Sequence, residues 1–412
     1  MLGERIREIR KKKKMTLEVL AGEGLTKGML SLIENNKANP SMESLAFIAK
    51  RLGVEVTELL EDISKQELRD VLEKAERLFN KETEKVTDKY RQLIPLIEPY
   101  VTNFTQGYES ARLLDIYSRC LYNEKKDGWQ DYSDRAAKMY DEMNLTAKRA
   151  GIGILRAMEK FIEHDYVKSL EIFLKERAEI ESNHAYIDPI TRVDLDYNES
   201  ILYFAVGDSD SATRVMESAI NFSKQHRIFY RIDDLYRLAF AQAMMTYEEE
   251  KKAHYSLKLK QYGDFAEDKQ SLLFHDLFNV MSLNSEKHFV KALEIIDQYL
   301  SDPKMSDIYG FWYLLEKGKA LYGLGQLNEA ILCLDKVEIP SYAHHPFDLS
   351  MFYVMDSYKA LCHLEFGAKD KALQLAKIAV ENFERLPHTP FKDFATDSYN
   401  KIKLKMEEPN PS

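Results

Sequence analysis

The sequence predicts an all-α chain, a small head of short helices followed by a long array of helix pairs. Three observations carry this. Apolar residues recur at three- and four-residue intervals through most of the chain, the spacing that lines one side of a helix. Glycine (16) and proline (11) are scarce among 412 residues, which disfavours a many-turned β-sandwich or barrel. A small residue followed four positions later by a large apolar one recurs at a period near 40 from Ser169 onward. The length exceeds what one hydrophobic core usually holds, so at least two folding units, or one plus an extended array, are expected.

The head is read first. Leu2, Ile6 and Ile9 recur at helical spacing and stop at the run Lys11 to Lys14. Thr16 is a good N-cap for a short second helix carrying Leu17, Leu20 and Ala21. Gly22-Glu23-Gly24 breaks that helix, because two glycines in three residues favour a tight turn. Thr26 caps a third helix whose Leu30 and Ile33 face back onto the first two, and Asn35-Asn36 ends it. Asn39-Pro40-Ser41 forms a turn and a cap for a fourth helix with Leu45, Ile48, Ala49 and Leu52 on its inner stripe. Gly53 closes it, and Val54, Val56, Leu59 and Leu60 suit a short fifth. Five short helices in some 60 residues, with glycines between the second and third, is the layout of a helix-turn-helix domain.

Charge is divided unevenly. Residues 1–51 hold eleven Lys/Arg against six acids, a net +5, whereas the whole chain carries −10. A basic head on an acidic body suggests that only the head meets a polyanion. The three cysteines, Cys120, Cys333 and Cys362, are too few and scattered for a disulfide framework or a zinc site. No run of about 18 apolar residues suggests a membrane span, and the basic N-terminus lacks the apolar segment of a signal peptide; a cytoplasmic protein is expected.

Beyond residue 63, Leu68, Val71, Leu72, Ala75, Leu78 and Phe79 mark one amphipathic stripe, and Pro95 and Pro99 interrupt the next segment. The repeat anchors are Ser169, Ala212, Ala253, Ala292, Ala330 and Ala372, the Ala253 copy being weak. About seven helix pairs are expected across 64–406. The domain reading is 1–62 helix-turn-helix, 63–80 linker helix, 81–406 repeats and 407–412 disordered tail. Stacked pairs create a concave surface lined by the first helix of each pair, suited to a peptide or protein guest. Asparagine amides can pair with a peptide unit whatever its side chains are, which makes Asn198, Asn279 and Asn400 candidates. Tyr197, Tyr236, Arg237, Tyr313 and Tyr358 are the candidates for side-chain pockets.

Conventional active sites find no support. There is no HExxH, no G-x-x-x-x-G-K-[ST] and no GxSxG. His344-His345 beside Pro346 reads as a solvated loop pair. No enzyme activity, cofactor or metal is expected.

The stretch MTLEVLAGEGLTKGMLSLIENNKANPSMESLAFIAKRLGVEVTELL resembles the lambda-repressor-type (XRE) helix-turn-helix. Its marks are Leu20-Ala21, Ile33-Glu34-Asn35, Asn39-Pro40-Ser41 and Leu52-Gly53-Val54. Two features depart from the pattern: the GEGL turn is one residue shorter than usual, and Leu17 stands where the family commonly places a phosphate-contacting glutamine. The resemblance implies that the third helix enters the major groove of double-stranded operator DNA. Thr26, Lys27, Gly28 and Ser31 then reach base edges, while Asn36, Lys37 and Arg10 meet phosphate. With so few base readers, a dimer on a two-fold site is expected.

KGKALYGLGQLNEAILCL and YKALCHLEFGAKDKALQLAKIAV match the tetratricopeptide pattern, which implies a right-handed superhelix. Head and array together resemble the RNPP family of peptide-sensing regulators, most similar to its NprR-like branch through LSLIENNKANPSMESL. That resemblance implies cytoplasmic quorum sensing: a short signalling peptide held in the repeat groove changes the homodimer or higher oligomer and its operator binding. The competing readings are a response-regulator-binding Rap-like protein, a phage arbitrium-type receptor, and a constitutive repressor using its repeats only to dimerise. For the Rap-like reading, Gln66 and Gln92 lie in the segment after the head without a motif around either.

Overall fold

The structure is a computed structural model that describes residues 2–56, 59, 65–81 and 88–407, without the side chains of 65 and 303–308. Leu60 and residues 408–412, assigned from the sequence to the fifth helix and the tail, lie outside the described residues. Glu407, counted with that tail, instead ends the last helix. Every regular element among the described residues is helical. The chain divides into two compact units, Met1–Ile152 and Gly153–Ser412.

The first unit opens with α1 (Leu2–Lys12), α2 (Leu17–Ala21), α3 (Lys27–Glu34) and α4 (Met42–Leu52). The starts of α2, α3 and α4 are fixed by side-chain caps. Thr16 accepts from the Val19 amide, Thr26 from Met29 and Ser41 from Ser44, each satisfying an N–H that the helix cannot. Gly53 closes α4 in the left-handed region at φ 62°. Ile6, Leu20, Leu30, Ile33, Leu45, Ile48, Leu52 and Leu59 then share one core. Helices α5 (Lys65–Phe79), α6 (Lys89–Ile97), α7 (Tyr108–Asn123), α8 (Trp129–Glu142) and the start of α9 (Thr146–Ile162) follow. The stripe Leu68, Val71, Leu72 and Ala75 is buried, as its spacing predicts. Pro95 sits inside α6, and Pro99 lies in the 3-10 turn Glu98–Asn103. Arg112 on α7 reaches Glu76 on α5 at 2.6 and 3.2 Å and Asp115 at 2.7 Å. Tyr140 on α8 donates to that same Asp115 at 3.3 Å.

The second unit continues through α10 (Tyr166–Asn183), α11 (Pro189–Val206), α12 (Ser209–His226), α13 (Ile232–Met245) and α14 (Glu249–Ala266). It ends with α15 (Lys269–Ser285), α16 (Phe289–Leu300), α17 (Pro303–Gly323), α18 (Leu327–Leu334), α19 (Pro346–Glu365), α20 (Lys369–Phe383) and α21 (Pro390–Glu407). The repeat anchors explain the pairing. Ser169, Ala212, Ala292, Ala330 and Ala372 are all fully buried, and each is the fourth residue of the second helix in its pair. There the two helices come closest, and Ser169 bonds the Ala157 carbonyl of the first helix at 2.7 Å. The Ala253 anchor is corrected by one position: Ala253 is exposed, and the fourth residue of α14 is the buried Lys252. A lysine serves there because its ammonium reaches back to both Glu249 oxygens, at 2.8 and 2.7 Å.

Chain-distant parts of this unit also meet. The Tyr166 hydroxyl at the start of α10 donates to the His344 carbonyl at 2.8 Å. His345 accepts the Phe347 amide on Nδ1 and places Nε2 3.3 Å from the Ile201 carbonyl on α11. Burial lowers its pKa to about 4, so the ring is neutral, with Nε2 as the donor. His345 is therefore not solvated as the loop reading expects, while the His344 ring stays partly open beside His164. His345 caps α19 and ties that helix to an earlier one.

Candidate nucleic-acid interface and interior cavity

Helix α3 is held by its inner side. Leu30, Ile33 and Glu34 are buried, leaving Lys27, Gly28, Met29 and Leu32 exposed and Ser31 half-buried. Lys27 pairs with the exposed Glu18 of α2, whose carboxyl is held below its ordinary value by that ammonium. The Thr26 oxygen is occupied as an acceptor by the cap, which leaves its hydroxyl hydrogen to donate. Lys37 is exposed after the helix.

Two residues read from the sequence as phosphate contacts make bonds inside the head; Arg10 is largely withdrawn, while Asn36 stays exposed. Arg10 is buried, with Nε and Nη2 on the two oxygens of Glu34 at 2.6 and 2.7 Å and Nη1 on the Met15 carbonyl at 2.8 Å. Three of its five N–H donors are thus spent inside the head, on Glu34 and the Met15 carbonyl. Asn36, at φ 56°, accepts the Gly3 amide on Oδ1 at 2.9 Å, so its side chain ties α1 to the end of α3. Gly3 is required there, since a Cβ would lie 1.9 Å from the Ile33 carbonyl oxygen.

In the second unit the predicted guest-binding residues divide. All stand on the first helices of pairs or on α21. Tyr313 is fully buried, stacked on Tyr299 at 3.8 Å with its hydroxyl on the Leu273 carbonyl at 3.2 Å, and Tyr236 belongs to a hydrophobic core. Both rings pack in the core, and neither is among the residues that line the cavity around Tyr358. Asn198 is buried and donates one amide N–H to the Asp194 carbonyl one turn back at 2.7 Å. Asn279 and Asn400 are exposed. Tyr197 is half-buried beneath the Arg231 guanidinium at 4.7 Å.

Tyr358 does line a cavity of about 400 Å³, together with Met244, Met245, Met281, Phe289, Tyr322, Phe391 and Phe394. Its polar lining includes Asn284, Glu316 and Lys319, with Glu249, Lys252 and Lys287. Asn284 Nδ2 donates to the Glu316 carbonyl at 3.0 Å and to its Oε2 at 2.8 Å, and Lys319 donates to Glu316 Oε1 at 2.6 Å. Asn284 Oδ1 is buried without a hydrogen-bond partner. Arg237 Nε on α13 is likewise buried and unpartnered, while the rest of that guanidinium engages Asp233 and Asp234 and stacks over Phe274 at 4.4 Å. Burial pushes the Asp348 carboxyl on α19 up to about 7 against the opposing pull of Arg237. Burial also raises the Tyr197 and Tyr358 hydroxyls.

The sequence had one signal for this wall. Glu316 and Lys319 stand with Lys317 in WYLLEKGKALYGLG, three charges in an otherwise apolar helix run, where some must be buried and paired. Asn284 reads from sequence as an ordinary helix end. Gln66 and Gln92 are exposed, and each donates to a carboxylate one turn on or back, Asp70 and Asp88, at 2.8 Å.

Residues 3–64 match the family described as "Helix-turn-helix domain". The head is a helix-turn-helix domain. The chain is 33% identical over 88 residues to the immunity repressor protein of Bacillus phage phi105, an alignment covering 21% of this chain. It spans 61% of the length of that curated relative. Among solved structures it is similar to Bacillus thuringiensis PlcR in complex with the peptide PapR7 and DNA. That likeness has 16% identity over 67% of this chain and 98% of the other, with a TM-score of 0.35. The competence regulator ComR of Streptococcus vestibularis, in complex with its cognate signaling peptide XIP, is 20% identical over 66% of this chain and 95% of its own, with a TM-score of 0.37. Among the described residues no helix is long and apolar enough to cross a membrane.

Proposed function

We propose that this chain is a cytoplasmic transcriptional regulator that binds operator DNA through its head and a short signalling peptide inside its helix-pair array. In this reading residues 1–62 grip the duplex as one half of a dimer, 63–80 connect, and 81–406 receive the peptide. Lys27 donates to guanine O6 or N7, Thr26 and Ser31 offer hydroxyls to base edges, and Lys37 meets phosphate. The observation that supports the peptide half comes from two of the six unpartnered buried side-chain atoms among the described residues, the Arg237 donor and the Asn284 acceptor, the latter in the wall of a largely apolar cavity; the other four are serine hydroxyls. Buried polar atoms are nearly always paired, and a peptide unit supplies both the carbonyl and the N–H that would pair them. The peptide acts by its differential affinity for two arrangements of the chain, where a coupling of about 1–3 kcal/mol changes operator occupancy by a factor of roughly 5–150. The roles are binding roles, and no step of catalysis is assigned.

The test is thermal melting of the full chain with a library of short synthetic peptides, followed by duplex binding with and without each hit. A hit that raises the melting temperature and changes duplex affinity or oligomeric state supports the reading. Stabilising peptides that leave both unchanged would refute the coupling. The likeness to a phage immunity repressor favours a second reading, a repressor that needs no ligand. Operator affinity at full strength with no peptide in the library shifting the melt would select it.

A further inference from the structure

Leu32 is the exposed leucine of the head. Among the described leucines up to residue 59 the others are buried or half-buried, whereas Leu32 leaves 48% of its surface open on α3. On a helix, positions four apart share a side, so Gly28 and Leu32 lie one above the other. The buried residues Leu30, Ile33 and Glu34 occupy the opposite side. Lys27 and Ser31, also four apart, flank this outward stripe, and Met29, 41% exposed, borders its other edge. A Cβ added at Gly28 would meet nothing within 4 Å, so the stripe is a smooth notch followed by one apolar knob. An isolated exposed leucine ordinarily needs no account. This one has a cationic and a hydroxyl side chain along one edge and Met29 along the other, on the helix that the operator-binding reading sends into the major groove. The floor of that groove offers one apolar group, the 5-methyl of thymine.

We propose that Leu32 is a specificity-determining residue that packs on a thymine 5-methyl in each half-site, with Met29 closing the side of the contact. The proposal rests on the operator-binding reading. Gly28 lets the helix backbone come close, Lys27 and Ser31 hold the neighbouring edges by hydrogen bonds, and Leu32 excludes water from the methyl. Cytosine at that position lacks the methyl and leaves Leu32 against an amino group.

The experiment uses the full chain and a random-sequence duplex pool, from which tight binders are selected. Each thymine of the selected half-site is then replaced singly by deoxyuracil, which removes the methyl and keeps the pairing and O4. At one or two positions the affinity of the wild-type chain falls about fourfold, the worth of one buried carbon. Leu32→Ala binds thymine and uracil duplexes alike, and Leu32→Gln moves the preference at that position toward adenine, whose N6 and N7 an amide reads. Uniform tolerance of uracil by the wild-type chain, or a methyl effect that survives in Leu32→Ala, overturns the assignment and leaves operator binding standing. A pool that yields no preferred sequence overturns operator binding itself, and this assignment with it.

Discussion

Arg10 and Glu34 meet inside the head as a two-pronged ion pair, Nε on Oε1 at 2.6 Å and Nη2 on Oε2 at 2.7 Å. Glu34 is the last residue of α3, and its side chain is 3% exposed, so the pair locks the end of that helix to α1. The lysine run follows directly on Arg10, so the residue that reads as the first of a basic cluster is the one that fixes the scaffold carrying it.

Removing one partner leaves the other charge buried. Arg10→Met is therefore expected to destabilise the head by about 3 kcal/mol, and Arg10→Met with Glu34→Leu to recover much of that loss, because two apolar groups need no pairing. Urea unfolding of the two variants beside wild type measures it. A double variant no more stable than the single one would show that the pair does more than satisfy itself.

Lys27 is partly engaged before any DNA arrives, since Glu18 holds its ammonium from α2. Duplex binding must break that exposed pair. Glu18→Gln is expected to raise duplex affinity, and Lys27→Gln to lower it about tenfold on a selected sequence. Fluorescence anisotropy over a salt series checks both, with the Lys27 variant also flattening the salt slope if the ammonium lies on phosphate and leaving the slope alone if it reads a base.

Caps, glycines and apolar spacing are local, and the head was legible in them: Thr16, Thr26, Ser41 and Gly53 do what their residue types and neighbours imply. The array's period was legible for the same reason, because a small residue at the fourth position of a second helix is a packing requirement that repeats. The interior was not legible. Whether Tyr313 lines a cavity or fills the core depends on Tyr299 and Leu273, and Asn284 gains its role from Glu316, 32 residues away. Partners that distant leave no local pattern. Arg10 misled for a related reason: surface charge is the ordinary role of an arginine after an amphipathic stripe, and only Glu34 in place reverses it.

The fourth-position rule gives a stability test. Lys252 occupies that place with its ammonium on Glu249, a residue mostly open to water. Lys252→Ala restores the small residue and frees a carboxylate that solvent can hydrate, so the change is expected to stay within about 1 kcal/mol. Ala292→Lys, at the equivalent and fully buried place in α16, forces a long charged chain against α15 and should cost several times as much. Thermal melts of the two variants decide; equal losses would mean that the fourth position does not set how closely the helices pack.

Asp348 supplies the pH dependence. Its carboxyl is raised from 3.8 to about 7 in the folded chain, by burial first, with Arg237 pulling the other way. Its charge is felt by the Tyr166, Tyr197 and Tyr342 hydroxyls, none of which supplies a cation. Between those two values the folded chain holds a proton that the unfolded chain has released, so this contribution to stability is fully present below about pH 4 and is lost as pH rises through about 7. Asp348→Asn stays neutral throughout. Its urea midpoint should fall less than that of wild type between about pH 5 and pH 8. Under the proposed peptide reading, a cationic end of a peptide placed beside this carboxyl would lower its pKa and expel the proton. Calorimetry of a stabilising peptide in two buffers of different ionisation enthalpy should then show proton release near neutral pH in wild type and none in Asp348→Asn. Equal release from both chains would place the peptide's charge elsewhere in the interior.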